Sequence, residues 1–362
     1  MNQDRLHFLD SSRGLAALVV FISHFILFFY PGLNSTWLAS TPFHIFWDGS
    51  TAVIYFFIHS GFILTYRLQQ RNFNLTSSSY LAFVWRRIFR IYPVFLFVLS
   101  GMFLLLKSGY FSFNPAGSAS TPLNLYWKFE SGIMDVLKQA LLVIRIPNDP
   151  VMRLLPQDWS LSIEIAVSLL LPALFVLHSK HSAMLLCLIY ISVQLLSLDP
   201  FVFDFALGIS IVKFYPFFRS WWQNQKTIFT KSLVLISAIL LCTSSHFLNP
   251  TISNFLDLIL IHTNAWGCSF FLLMLLSSSR IQKLLNIRLL VLQGKSSYSI
   301  YLVHLTLLFL CYPISTSNFM SLPVLGVLIY FLVLAISILL YFGIELPAIR
   351  LGRKWEQKIF KN

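Results

Sequence analysis

The stretch Leu9-Asp-Ser-Ser-Arg13-Gly-Leu-Ala-Ala-Leu-Val-Val-Phe-Ile-Ser-His24 decides how this chain is read. After Arg13 it is apolar enough to enter a bilayer, yet it carries an arginine at its mouth and a histidine at depth. A helix turns about 100° per residue, so eleven residues return it to within about 20° of the starting face. Arg13 and His24 therefore share one stripe, about 16 Å apart along the axis at about 1.5 Å per residue. Ionisable groups inside a span face protein or a watery cavity and are functional candidates. The plain alternative is a snorkelling arginine and a packed, hydrogen-bonded histidine.

Outward from this span, the same composition continues. Of 362 residues, 57% are hydrophobic and only 11% charged. Apolar runs near the length of about 20 residues needed to span a bilayer recur at 14–30, 50–66, 88–106, 159–177, 183–198, 200–216, 232–248, 257–278, 297–314 and 323–344. Backbone polar groups in lipid must be satisfied within their own segment, so the expected fold is an all-α polytopic membrane bundle of about ten helices. It forms a single transmembrane domain over 1–362.

The net charge of +13 invites a nucleic-acid reading that the charge positions reject. All but five of the 26 Lys and Arg residues fall on the side shared by the N-terminus, the even-to-odd loops and the C-terminus. The five (Lys107, Lys128, Lys138, Arg145 and Arg153) share one long loop opposite. The positive-inside rule then puts both termini in the cytoplasm of a multi-pass protein of the inner or plasma membrane. Cys187, Cys242, Cys268 and Cys311 lie within spans without metal-ligand spacing, so neither a disulfide framework nor a metal is expected. The N-terminus lacks signal-peptide features, so the first span is expected to be retained.

The segment of about 108–157 is rich in Ser, Gly, Pro and Asn and includes an apolar stretch, Val136 to Ile146, expected as an interfacial helix. It is either a lid over an extracytoplasmic substrate or a tether. The basic tail after Pro347 is expected to lie on the anionic inner leaflet.

Three further constellations bear chemistry. Arg86, Arg87 and Arg90 open the third span within Trp85-Arg-Arg-Ile-Phe-Arg-Ile-Tyr-Pro93. Helical spacing clusters them, and guanidinium forks suit phosphate oxygens, although arginines also flank spans for topological reasons. Glu164 follows Ser160 by one turn in Gln157-Asp-Trp-Ser-Leu-Ser-Ile-Glu164. It either orients a histidine, donates a proton, or sits in a structural pair with Arg or His. Ser297, Tyr301 and His304 lie at i, i+4 and i+7, one polar stripe that lines a pocket or bonds neighbouring helices. His59, Asp48 and His262 carry less information.

Together these stretches resemble acyltransferase family 3, multi-pass membrane enzymes that O-acylate carbohydrates and related substrates. The patches are Arg13 to His24, Phe56-Phe-Ile-His-Ser-Gly-Phe62, the run from Arg86 to Pro93, Trp159 to Glu164, Tyr298 to His304, and Glu345-Leu-Pro347. The chain departs from the family at Ile54, where many members carry Asp, at His59 in place of an aliphatic residue, and at Ser11-Ser12 in place of Gly-Leu. The resemblance implies a cytoplasmic acyl-CoA donor, usually acetyl-CoA, with phosphates against Arg87 and Arg90 and with Arg86 and Arg13 at the same mouth. It implies His24 as base or acyl carrier, Glu164 as its helper, and Ser60, Ser160, Tyr301, His304 and Glu345 as pocket residues. The acceptor would be a carbohydrate: lipopolysaccharide O-antigen, an exopolysaccharide or a lipid-linked glycan. The competing class is a transporter or flippase, against which stands the lack of paired Gly/Pro-broken spans.

Overall fold

The computed structural model describes residues 6–108, 132–142, 154–196, 198–247, 262–315 and 321–360. Among these every regular element is helical. The expected lid sequence is mostly outside the described residues, as are Arg5, Lys128, Arg145, Arg153 and Lys361.

Helix α1 (His7–Phe29) is unbroken, so Arg13 and His24 do share one helix. Three short 3₁₀ turns then lead to α2 (Gly49–Gln70), which starts where Asp48 Oδ1 accepts the Thr51 N–H at 3.0 Å. That side-chain cap satisfies an amide the first turn would leave open. Thr76 and Ser79 form a reciprocal capping box at the start of α3 (Ser77–Lys107). There follow α4 (Ile133–Ala140), α5 (Asp158–Leu195), α6 (Phe201–Asn224) and α7 (Ile228–Phe247). Next come α8 (Thr263–Ser277), α9 (Ser279–Leu285), α10 (Arg288–Lys295), α11 (Ser297–Ser315) and α12 (Leu322–Leu340). A π-helical turn, Tyr341–Glu345, joins α12 to α13 (Leu346–Phe360). Pro347, two residues beyond it, has no N–H to give the carbonyl four residues back, the kind of break at which helical turns widen.

Among the described residues seven helical segments are long and apolar enough to cross a membrane, or eight if the pair α8/α9, bent by 92°, is one span. Gln282 sustains that bend: its Nε2 donates to the carbonyls of Leu275 and Leu276, at 3.0 and 2.9 Å, which the end of α8 leaves unpaired. The other expected spans correspond to shorter apolar helices, Met184–Leu195 and Ile228–Ser244. The fourth and fifth expected spans are one continuous helix, α5, with no break at 178–182. The interfacial helix begins earlier than expected, at Ile133 rather than Val136, and ends at Ala140; residues 143–146 are outside the described set.

The chain divides into two compact units. One holds α1 to Ile26, α2, α5 from Val167, and α6 to α10 as far as Gly294. One tight crossing is α2 on α6. A Cβ on Gly61 would strike the Phe205 carbonyl, and one on Gly208 would strike that of Ile58. In lipid, where apolar side chains gain nothing by leaving solvent, such backbone contact is a main source of helix association. Gly14 and Gly294 do the same for α1 and α10: a Cβ on Gly14 would lie 2.8 Å from the Gly294 nitrogen. Around them Leu9, Ile58, Phe62, Leu272 and Cys268 form the apolar core.

The other unit holds Leu27–Phe29, α3, α4, α5 to Ala166, and α11 to α13. Phe28 packs on Phe309 at 5.0 Å between ring centroids, and Phe29 on Tyr312 at 5.7 Å.

Candidate functional site

His24 is half-buried on α1, and its Nδ1 lies 2.9 Å from the Val20 carbonyl, one turn back. A carbonyl only accepts, so Nδ1 carries the proton and donates it. In the neutral ring the lone pair is then on Nε2, the nitrogen able to take a proton or an acyl group. The backbone thus sets the tautomer, a role expected of Glu164. Arg13 occupies the same helix one residue after Ser12. The serines that replace the family's Gly-Leu fasten this end of α1. Ser12 accepts the Tyr55 hydroxyl at 2.8 Å, and buried Ser11 donates to the Leu285 carbonyl at 2.6 Å. Ser60 is half-buried on α2 in the same unit, next to Gly61 of the tight crossing. The two departures on α2 are also buried: Ile54 in the apolar core, and His59 with its ring 5.9 Å from that of Tyr55.

A second polar group lies elsewhere in this unit. Thr51 Oγ1 is 2.7 Å from Asp48 Oδ2 and accepts from Asn264 Nδ2 at 2.8 Å. His262 is buried with Nδ1 3.8 Å from Asp204 Oδ1.

The remaining expected residues belong to the other unit, where the three clustered arginines have three different environments. Arg86 pairs with Glu356 of α13. Arg87 is buried, and its Nη2 donates to Glu164 Oε1 at 2.9 Å. Arg90 is half-buried and makes no ion pair with any described residue. Of the alternatives open for Glu164, the partner seen is an arginine.

Ser160 and Tyr301 meet, hydroxyl to hydroxyl, at 2.6 Å, and the Tyr301 hydroxyl also donates to the Gln157 carbonyl at 2.8 Å. His304 is 1% exposed, with Nδ1 2.7 Å from the Tyr301 carbonyl, so by the same reasoning Nε2 carries its lone pair when the ring is neutral. Ser297, the third member of that stripe, is buried, and its hydroxyl has no hydrogen-bond partner among the described residues. Glu345 is buried in the π-turn and accepts from Ser299 Oγ at 3.2 Å.

Three contributors went unmarked in the sequence. Gln157 holds α11 by donating to the Leu302 carbonyl at 2.7 Å, and the Tyr298 hydroxyl donates to the Ile91 carbonyl of α3 at 2.8 Å. Glu356 was the third; its signal is that it stands alone as an acid in a basic tail. Among the described residues no group of three or more His, Cys, Asp or Glu is gathered to hold a metal.

A family model described as an acyltransferase domain matches residues 6–342. The chain belongs to acyltransferase family 3. Neither the curated proteins nor the solved structures give a match. As a member of acyltransferase family 3 with at least seven apolar helices of spanning length, it is read as a membrane acyltransferase. The match stops before α13, so the partner of Arg86 comes from beyond the family domain.

Proposed function

We propose that this protein is a membrane O-acyltransferase of the cell inner or plasma membrane. It takes an acyl group, acetyl in the simplest case, from cytoplasmic acyl-CoA and delivers it to a hydroxyl of a cell-surface polysaccharide or lipid-linked glycan. The single observation that carries the reading is the tautomer of His24, in which Nδ1 donates to the Val20 carbonyl and the lone pair of the neutral ring is on Nε2. Family membership supports the transfer chemistry, and the charge bias of the loops supports a donor arriving from the cytoplasm.

In the direct route Nε2 takes the acceptor hydroxyl proton, the oxygen attacks the thioester carbonyl, the C–S bond breaks, and the imidazolium returns the proton to the CoA thiolate. In the covalent route Nε2 itself receives the acyl group and the acceptor hydroxyl displaces it. Both use the same nitrogen. Arg90, with no ion pair among the described residues, is the cation assigned to the donor's phosphates, with Arg87 beside it on the helix and held in place by Glu164.

The test is acceptor-dependent release of CoA thiol by the purified protein in proteoliposomes supplied with acetyl-CoA. His24→Ala should abolish release while leaving membrane insertion and elution unchanged. Near-wild-type release by that variant would remove His24 from the chemistry. Movement of a glycan across the vesicle without thiol release would favour the transporter class. The acceptor itself is identified by finding which surface glycan loses its ester groups when the protein is absent.

A further inference from the structure

Helix α12, the π-turn and α13 run as 39 continuous helical residues, and α3 runs for 31. At about 1.5 Å per residue these measure about 58 and 46 Å, against an apolar bilayer core of about 30 Å. Both must therefore extend beyond it, and charge marks which ends do so: Arg86, Arg87 and Arg90 on α3, and Arg350 onward on α13. These ends are packed together. The Trp85 indole N–H donates to the Gly352 carbonyl at 3.1 Å, Arg86 pairs with Glu356, and Ser78 Oγ donates to the Phe360 carbonyl at 3.2 Å.

The surface of α13 sorts into rows that repeat every four residues, the spacing of one helix face. Gly352, Glu356 and Phe360 form the row that meets α3. One residue earlier in each turn come Leu351, Trp355 and Ile359, which are 45%, 45% and 54% exposed. One residue earlier again come Arg350, Lys354 and Lys358, all exposed, with Arg353 also exposed. Trp355 of the apolar row stacks on Trp85 and meets Phe89 edge-on, both of α3, but about half of each side chain in that row stays exposed. A partly exposed apolar row with cations along its flank is the arrangement of a helix lying in a lipid interface. The apolar side chains enter the acyl boundary and the cations remain among the headgroups.

We propose that α13 is an interfacial anchor that seats on anionic phospholipid, through Leu351, Trp355 and Ile359 in the acyl boundary and Arg350, Arg353, Lys354 and Lys358 against the headgroups. Charge complementarity chooses the occupant: a neutral surface would reward the apolar row alone, whereas each cation near an anionic leaflet adds about fivefold in partitioning. The anchoring stands without the acyltransferase reading. Its consequence, that lipid binding steadies the helix that holds Arg86, rests on that reading.

The test uses the full chain in nanodiscs of phosphatidylcholine alone or mixed with phosphatidylglycerol. Spin labels are placed by Ile359→Cys or Lys354→Cys in a background without the native cysteines, and oxygen accessibility is compared with that of a nickel chelate. The Ile359→Cys label should become several-fold more oxygen-accessible in the anionic discs, while the Lys354→Cys label stays exposed to the chelate. Replacing the four cations with Gln should remove the response. Hydrogen exchange on the unaltered chain supplies a cysteine-free check, with amides of 350–360 exchanging more slowly in anionic discs. Labels facing water in both discs, as a protein-docking helix would give, or immersion and exchange indifferent to lipid charge, would overturn the proposal. None of these readouts depends on acyl transfer.

Discussion

Glu164→Gln is the substitution that separates two roles for one carboxylate. In the structure Glu164 Oε1 accepts from Arg87 Nη2 at 2.9 Å, with the arginine side chain 9% exposed and the glutamate 29%. Gln keeps the length and can still accept one hydrogen bond, but it removes the counter-charge. Losing one partner of a fully buried ion pair costs about 3–5 kcal/mol, because the other charge is left uncompensated. Glu164 is close to one-third exposed, so water screens part of that, and a loss of about 2 kcal/mol is expected. Removing both charges, in Arg87→Gln with Glu164→Gln, should recover most of it, giving a coupling energy of about 1–2 kcal/mol. The assay is unfolding in detergent for all four members of the cycle.

Activity supplies the second reading from the same proteins. If Glu164 acts only by holding Arg87, the double variant releases CoA thiol no more slowly than Arg87→Gln alone. If it transfers a proton, the double variant is slower than Arg87→Gln alone by a further factor of about 10²–10⁴. A Glu164→Gln variant that unfolds like wild type, with additive losses in the cycle, would refute the claim that this ion pair organises the site.

Arg90→Ala should raise the KM for acetyl-CoA about tenfold or more at nearly unchanged stability, since no described carboxylate loses a partner; a fall in melting temperature with unaltered KM would contradict the phosphate assignment. Gly61→Ala should destabilise the chain by about 1–3 kcal/mol, because its methyl group would strike the Phe205 carbonyl of α6; wild-type unfolding would show that the crossing has slack. Tyr301→Phe leaves Ser160 and the Gln157 carbonyl without that hydroxyl and should cost about 1–2 kcal/mol in the same unfolding assay, an unchanged midpoint counting against the bond.

The helices were legible because lipid leaves a spanning backbone few options, and apolar length alone reveals that choice. Boundaries were less so. The polar run His178-Ser-Lys-His-Ser182 separates two apolar spans in the sequence, but polarity does not by itself end a helix, and α5 continues through it. The tautomer of His24 was legible in principle, since a carbonyl one turn back is always within reach of a helical side chain. Nothing local marked Glu164 as the partner of Arg87. The two are 77 residues apart, and the partner of a buried charge is chosen by packing between helices. Glu356 is hidden for a related reason: composition places its tail on the membrane surface as a whole, whereas the Glu356 row turns toward α3.

The arginine cluster shows why spacing alone understates what such a motif does. Arg86, Arg87 and Arg90 look equivalent as cations, and all three were expected to hold phosphate. A helix sends adjacent side chains about 100° apart, so Arg86 and Arg87 cannot serve the same neighbour. Arg86 reaches α13 and Arg87 reaches α5, so each has a carboxylate, and among the described residues the motif contributes one cation without an ion pair rather than three. That division limits the charge left exposed at the mouth of a span. It also places Arg90 three residues from Arg87, whose orientation is fixed by Glu164, so on the proposed reading the donor's phosphates would meet a guanidinium already held in position.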